Sequence, residues 1–111
     1  MKNVIFLVQG SSEEPYSVIF TKGDNDNLKA TCTCAAGTKN MYCKHRINIL
    51  NGDASNIVSK NLNDIYIVQE MLKDSDVERE MQKVIELEKQ EDAIKKALIL
   101  AKKSLSRVMG D

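Results

Sequence analysis

The three cysteines and the single histidine of this 111-residue chain lie within one stretch of fourteen residues. Cys32 and Cys34 form a first pair, and after eight intervening residues Cys43 and His45 form a second pair with the same spacing. Three thiolates and one imidazole make a complete tetrahedral ligand set for a structural zinc ion, which favours sulfur and nitrogen donors. The sequence therefore predicts one structural Zn²⁺ held by these four residues, which we call the ligand cluster.

The spacing of the ligands has a geometric reason. Side chains two residues apart on an extended strand project to the same face, which suits the first pair. The second pair stands just ahead of an apolar run that begins at Ile47, and this order predicts a turn into a short helix. Between the pairs, Gly37 and Asn40 tolerate the backbone angles of a tight reversal. We therefore expect the loop to bring the second pair over the first.

The sequence leaves three other interpretations of the cysteines open. A disulfide is disfavoured because the cysteine count is odd, because no secretion signal is evident, and because a bridge from Cys32 to Cys34 closes a strained ring. A Cys nucleophile with a His base would need a third, orienting group and would leave two cysteines without a role. The cysteines can also be unrelated buried residues. A structural ion is preferred to a catalytic one because four good ligands leave no open coordination position.

The pattern Cys-x-Cys-(n)-Cys-x-His resembles the signature of the SWIM zinc finger. The flanks are similar too, since Thr33 is a small polar residue between the first pair, and Tyr42 precedes a second pair that leads into an apolar helix. Residues 16–20, a turn and residues 28–32 resemble the hairpin that carries the family's first ligands. The resemblance covers residues 16–50 and implies a zinc-binding module with a DNA-binding or protein-binding role.

Two features depart from the family pattern. The loop between the pairs, residues 35–40, has neither the aromatic residue nor the proline that the family often carries there. The family module usually sits inside large transposases, remodelling ATPases or ligase-type proteins, and a chain of 111 residues is too short to hold such an enzyme. The resemblance therefore implies a near-stand-alone module and transfers no enzymatic activity.

The pattern of apolar residues from residue 4 to the first ligand pair predicts about three strands. Residues 4–8 are a continuous apolar run, typical of a strand buried on both faces, and residues 16–21 alternate in polarity. Residues 23–27 predict a hairpin turn rather than a calcium loop, because the required Gly and distal Glu are missing. Residues 28–34 place apolar side chains and the first pair on one face. We expect an α+β fold with a small antiparallel sheet, a zinc site and a short helix, followed by a long C-terminal amphipathic helix or helical hairpin.

The chain divides into three predicted segments. Residues 1–52 form the hairpin and SWIM-like zinc module, whose helix ends at Asn51-Gly52. Residues 53–74 form a connecting segment and a second helix. Residues 75–110 form the C-terminal helix, for oligomerisation or partner binding, and this helix begins at a capping box of Ser75 and Glu78.

The C-terminal helix carries apolar residues at helical spacing. This apolar stripe, the predicted oligomer interface, consists of Val77, Met81, Val84, Leu87, Ile94, Leu98, Ala101, Leu105 and Val108. Glu91 interrupts it, and Glu91–Lys95 and Asp92–Lys96 are predicted i, i+4 ion pairs. One interpretation is a hairpin folded back near residue 90, although no Gly or Pro is present there for the turn. The favoured interpretation is a single helix that pairs with a second copy or a partner, because so small a domain cannot cover the stripe.

Charge and hydrophobicity limit the classes of function. The 16 Lys and Arg residues balance the 16 Asp and Glu residues, which argues against strong non-specific attraction to nucleic acid. No run of apolar residues is long enough to predict a membrane-spanning helix, and the one near the N-terminus is too short for a signal peptide. Reduced, zinc-bound thiols then fit a cytoplasmic protein.

Two functions follow from these patterns. The favoured one is a zinc-stabilised binding or adaptor module that acts through protein–protein interaction, with a protein partner or with itself as a homodimer. The alternative is a nucleic-acid (DNA) binding accessory or regulatory protein whose basic residues contact phosphates, namely Lys29, Lys39, Lys44 and Arg46. The same residues can instead offset thiolate charge or be merely solvated. An enzyme is not expected, and neither are catalytic residues or a small-molecule substrate, because the chain lacks a paired-carboxylate signature, a phosphate-cradling glycine loop and a second His.

Overall fold

A computed structural model describes residues 2–110 of the chain. The strands are β1 (Lys2–Val8), β2 (Tyr16–Lys22) and β3 (Leu28–Cys32), which form an antiparallel sheet of order β1-β2-β3. The helices are α1 (Ala35–Thr38), α2 (Lys44–Leu50), α3 (Ile65–Leu72) and α4 (Asp76–Gly110), with a 3-10 turn at Leu62–Asp64. The predicted α+β class, with a small antiparallel sheet, short helices and a long C-terminal helix, is confirmed.

One face of the sheet carries the core. Phe6 of β1 and Phe20 of β2 are fully buried and meet edge to face, with ring centroids 6.2 Å apart. The apolar side chains of the short helices complete this core, and Ile49 of α2 and Val68 of α3 are only 2% and 0% exposed. The sheet and the first three helices therefore bury a single apolar interior, typical of a small two-layer fold.

The prediction that residues 4–8 form a strand buried on both faces is wrong. The residues of β1 alternate between buried and exposed, and Ile5 and Leu7 are 53% and 40% exposed. The physical reason is that the core lies against one face of the sheet only, so alternate side chains of β1 point away from it whatever their polarity. A continuous apolar run does not by itself show that a second layer is present.

The outer edge of β1 is paired by a segment whose sequence gave no clear pattern. Ile57 forms an antiparallel bridge with Val8, and the Val58 N–H donates to the Leu7 carbonyl at 2.8 Å. The Asn61 side-chain amide donates to the Ile5 carbonyl of β1 at 2.8 Å. These contacts satisfy the backbone polar groups that an edge strand would otherwise expose.

The start of α4 is fixed to the sheet. The predicted capping box is present in part, since the Glu78 N–H donates to the Ser75 hydroxyl at 3.0 Å. The Glu78 carboxylate accepts from the Asp74 N–H, one residue earlier than the predicted partner. The Asp76 carboxylate accepts from the Leu28 N–H at 2.9 Å, which joins the first turn of α4 to the first residue of β3.

From residue 76 to residue 110 the chain forms one continuous helix, so the single-helix alternative is the one observed. The contacts of the chain divide into two units, of which one ends at Glu78 and the other begins at Arg79. The two predicted ion pairs are present, Glu91 with Lys95 at 2.9 Å and Asp92 with Lys96 at 3.0 Å. Within residues 2–110, no helix combines the length and the apolar character needed to cross a membrane.

Candidate metal centre

The four predicted ligands meet at one point of the fold. Their donor atoms all lie within 4.8 Å of one another. The Cys34 and Cys43 sulfurs are 3.4 Å apart, and His45 Nδ1 lies 3.8 Å from the Cys32 sulfur and 3.6 Å from that of Cys43. A tetrahedral zinc ion with its usual bond lengths separates its donors by about 3.5 to 3.8 Å. The ligand cluster therefore has the donor set and the spacing to hold a metal ion.

The same distances decide between the metal and the disulfide. A disulfide requires a sulfur–sulfur distance of about 2.05 Å, and Cys34 and Cys43 are free thiols at a clearly longer separation. Cys32 is a free thiol as well, and all three are buried. Three thiols converging with an imidazole on one buried point favour metal binding over unrelated buried cysteines.

Each ligand is positioned by the end of a secondary-structure element. Cys32 is the last residue of β3, and Cys34 follows it in extended conformation as the N-cap of α1. Cys43 is the N-cap of α2, and His45 lies in the first turn of that helix. The first pair thus does not lie on one strand as expected, but the extended backbone at Cys34 still turns both sulfurs towards the second pair.

Backbone N–H groups at these helix starts donate to the sulfurs. The Gly37 N–H donates to the Cys34 sulfur at 3.2 Å, and the Cys34 N–H donates to the Cys32 sulfur at 3.5 Å. The backbone N–H of Arg46 lies near enough to the Cys43 sulfur to lower the pKa of that thiol. Such donors stabilise the thiolate form, which is the form that binds metals.

The segment between the pairs is more ordered than the predicted loop. Residues 35–38 form the single turn α1, and Asn40 adopts a left-handed backbone conformation with φ of 55°, as expected for the reversal. Gly37 is required for a different reason, since a Cβ there would contact the Cys32 carbonyl and lie 2.8 Å from the Cys32 Cβ. Ala35 and Ala36 favour helix and follow the N-cap residue Cys34. This pair of alanines is the sequence signal for α1, which hydrophobic periodicity did not reveal.

The cysteines differ in their affinity for protons. Burial raises the pKa of Cys32 to about 12, with nearby sulfurs adding to the shift. Burial also acts to raise the pKa of Cys43, but the Arg46 N–H and hydrogen bonds from Cys34 and His45 outweigh it and lower that pKa to about 6. Adjacent buried thiolates repel one another, so without a cation the cluster keeps protons. A divalent ion removes this conflict, which is the chemistry expected of a metal site.

Tyr16 is a neighbour of the cluster that sequence reasoning assigned only to a strand. Its ring lies against the His45 imidazole, with centroids 5.0 Å apart and planes tilted by 46°. Its hydroxyl lies 3.4 Å from that of Ser11. The contact restricts the orientation of the imidazole, whose Nδ1 faces the sulfurs. No local sequence pattern joins residues 16 and 45, since only the fold brings β2 beside α2.

Arg46, one of the four predicted phosphate contacts, has a structural role. Its guanidinium donates to the Ala30 carbonyl at 3.0 Å and to the Met41 carbonyl at 2.6 Å. These bonds connect α2 to β3 and to the segment that joins the two ligand pairs. A guanidinium held by two backbone carbonyls is less available to a phosphate than one in solvent.

The three predicted lysine contacts are exposed and dispersed along the chain. Lys29 alternates with the buried residues of β3, while Lys39 follows α1 and Lys44 begins α2 between the second ligand pair. Their contact with nucleic acid stays a prediction.

No family model matches the chain, and neither a curated protein nor a solved structure matches it. The resemblance to the SWIM finger therefore rests on the ligand spacing and on the convergence of the four donors.

Proposed function

We propose that this protein is a zinc-stabilised binding module that associates with itself through α4. In this proposal the ligand cluster holds one structural zinc ion in a SWIM-like head, and the long helix joins copies of the chain. The protein acts by binding and not by catalysis. A partner protein of the head is a further part of the proposal, and its identity is open.

The zinc part of the proposal is supported by the size of the core. The core of the first unit rests on a three-stranded sheet and short helices, and the chain has only five aromatic residues, counted as two Phe and three Tyr. Such a small core buries little area, so metal binding contributes a substantial part of the folding free energy in comparable fingers. The four donors converge at the junction of β3, α1 and α2, so an ion bound there would join all three elements.

The observation that carries the self-association is the exposure of the apolar stripe. Leu87, Ile94 and Leu105 are 62%, 68% and 59% exposed, and no residue from 76 to 110 is fully buried. An isolated helix gains little from its own hydrogen bonds in water, and most helical stability comes from packing an apolar face. The exposed ion pairs along α4 contribute only a few tenths of a kcal/mol each. The helix therefore needs a covering surface, and an identical stripe on a second copy provides one.

The hydrodynamic mass of the zinc-loaded protein tests this proposal. We expect a mass above that of the monomer, and we expect Leu98→Asp to shift the protein to the monomer because it places a charge within the apolar stripe. Lys103→Asp is the matched control, since it adds an acidic residue to the same helix outside the stripe. A wild-type protein that stays monomeric at all concentrations while α4 remains helical by circular dichroism would contradict self-association.

A further inference from the structure

The second half of the apolar stripe follows a seven-residue repeat. From Val84 to Val108 the seam positions of α4 alternate in steps of three and four, and seven of the eight are apolar. In heptad terms the a positions are Val84, Glu91, Leu98 and Leu105, and the d positions are Leu87, Ile94, Ala101 and Val108. All eight lie in one unbroken helix and all are exposed. A seam of this kind pairs with another helix along its length.

The charges of α4 are separated along the helix. Residues 76–92 contain seven acidic and three basic side chains, a net charge of −4. Residues 93–110 contain five basic and no acidic side chains, a net charge of +5. The helix macrodipole favours acidic residues at the start and basic residues at the end, but its effect falls off within the first and last turns. The separation extends over the whole helix, so a second cause is required.

We propose that α4 pairs with α4 of a second copy of this chain in antiparallel orientation. This inference rests on the self-association in the proposed function and adds its geometry. The two-fold axis crosses the seam midway between Ile94 and Leu98, at the level of residue 96, and Ile94 of each copy packs against Leu98 of the other. Moving outwards, the seam pairs are Glu91 with Ala101, Leu87 with Leu105, and Val84 with Val108.

The polar seam residue favours this orientation. In a parallel pair equivalent seam residues face each other, so Glu91 would oppose Glu91 of the second copy in the core of the seam, where like charges are destabilising. In the antiparallel pair Glu91 faces Ala101, the smallest residue of the seam. The short Ala side chain leaves Glu91 room to stay at the edge, where it already binds Lys95 at 2.9 Å.

Charge complementarity favours the same orientation. Antiparallel pairing brings the acidic half of each helix against the basic half of the other, whereas parallel pairing brings like halves together. At the flanks, Glu88 lies nearest to Lys102 of the second copy, and this contact occurs twice by symmetry. Near the axis, Lys95 approaches Lys95 of the second copy. The charge of each Lys95 is neutralised by Glu91 of the same helix.

Charge reversal at the flanking pair tests the orientation. We expect Glu88→Lys alone and Lys102→Glu alone each to weaken the dimer by about tenfold, since each converts two exposed attractive contacts into repulsive ones. The double variant and an equimolar mixture of the two single variants are both expected to regain an affinity close to wild type. Dissociation constants from sedimentation equilibrium of zinc-loaded protein provide the measurement.

Controls with the same change of charge isolate the contact. Glu86→Lys and Lys103→Glu alter the same halves of the helix at positions outside the seam and its flanks. Neither combining the two substitutions in one chain nor mixing the two single variants should restore the affinity of the dimer. In a parallel dimer Glu88 would lie near Lys83 of the second copy and Lys102 near Ala97, so the double variant would not recover. A dimer without recovery overturns the antiparallel orientation alone, whereas a wild-type monomer overturns the self-association as well.

Discussion

Each of the four candidate ligands supplies one donor atom, so the loss of any one leaves an incomplete zinc site. We expect Cys34→Ser and His45→Ala to abolish stoichiometric zinc binding and to lower the melting temperature of the first unit, because ligand binding and folding are coupled in small zinc modules. Elemental analysis should give about one zinc ion per wild-type chain and close to none for either variant.

The control for this prediction stands between two of the ligands. Lys44 is exposed at the start of α2 and offers no donor to the cluster, so Lys44→Ala should retain zinc and melt as the wild type does. The ligand assignment would be wrong if Cys34→Ser or His45→Ala kept full metal content together with an unchanged melting profile.

Protons and zinc compete for the same sulfurs. Burial raises the pKa of Cys32 to about 12, so this thiol holds a proton at neutral pH until a metal displaces it. We therefore expect zinc binding to release protons, so that the zinc affinity rises with pH and falls on acidification, by about tenfold per pH unit for each proton displaced. Competition with a chromophoric chelator at several pH values between about 6 and 8 measures the slope. A zinc affinity that does not vary with pH would contradict the displacement of a proton from Cys32 by the metal.

At the level of elements, α1 depends on its close approach to the end of β3. Ala is normally a better helix former than Gly, but at position 37 an added Cβ would meet the backbone and side chain of Cys32. We expect Gly37→Ala to destabilise the first unit by about 1–3 kcal/mol, the usual cost of overpacking, and to weaken zinc binding. Denaturant unfolding and chelator competition measure the two effects.

A second glycine provides the matched control for this substitution. A Cβ on Gly23, in the turn between β2 and β3, would have only the Asn25 side chain near it, at 3.9 Å. Gly23→Ala should therefore change stability by no more than about 0.5 kcal/mol, as for most surface substitutions. Equal effects of the two substitutions would show that the approach of α1 to Cys32 is not needed for the fold.

The elements that the sequence predicted correctly are those with local signals. Alternating polarity and turn residues specify the hairpin of β2 and β3, the capping box locates the start of α4, and Asn51-Gly52 ends α2 with Gly52 at φ of 87°. The exposure of Ile5 and Leu7 was not predictable in this way. It depends on whether another layer covers that face of the sheet, which an apolar run does not specify.

The candidate site shows the same division. The ligand cluster was predictable because its members are near in sequence and their residue types select a metal. Two other features of the site were not predictable from the sequence, namely the contact of Tyr16 with His45 and the hydrogen bonds of Arg46. Both connect residues that only the folded sheet and helix bring together. α1 was missed since a single turn is too short to show a helical period.

At the level of the whole molecule, the proposed function assigns a different stabilising interaction to each of the two units. The ligand cluster lies in the unit that ends at Glu78, and most of the apolar stripe lies in the unit that begins at Arg79. A ligand stabilises only the folded state that binds it, and association makes stability depend on protein concentration. We therefore expect chelation to destabilise the first unit and dilution to destabilise the second.

The distribution of chromophores separates the two responses in one sample. The three tyrosines, Tyr16, Tyr42 and Tyr66, all lie in the first unit, whereas α4 contributes most of the far-UV circular dichroism because it is by far the longest helix. A chelator should lower the midpoint of the tyrosine fluorescence transition, and dilution should lower that of the circular dichroism transition. Leu98→Asp should remove the concentration dependence without affecting the chelator response. If the two signals moved together under both treatments, the units would unfold cooperatively, and the zinc site and the helix pairing would stabilise one structure rather than two.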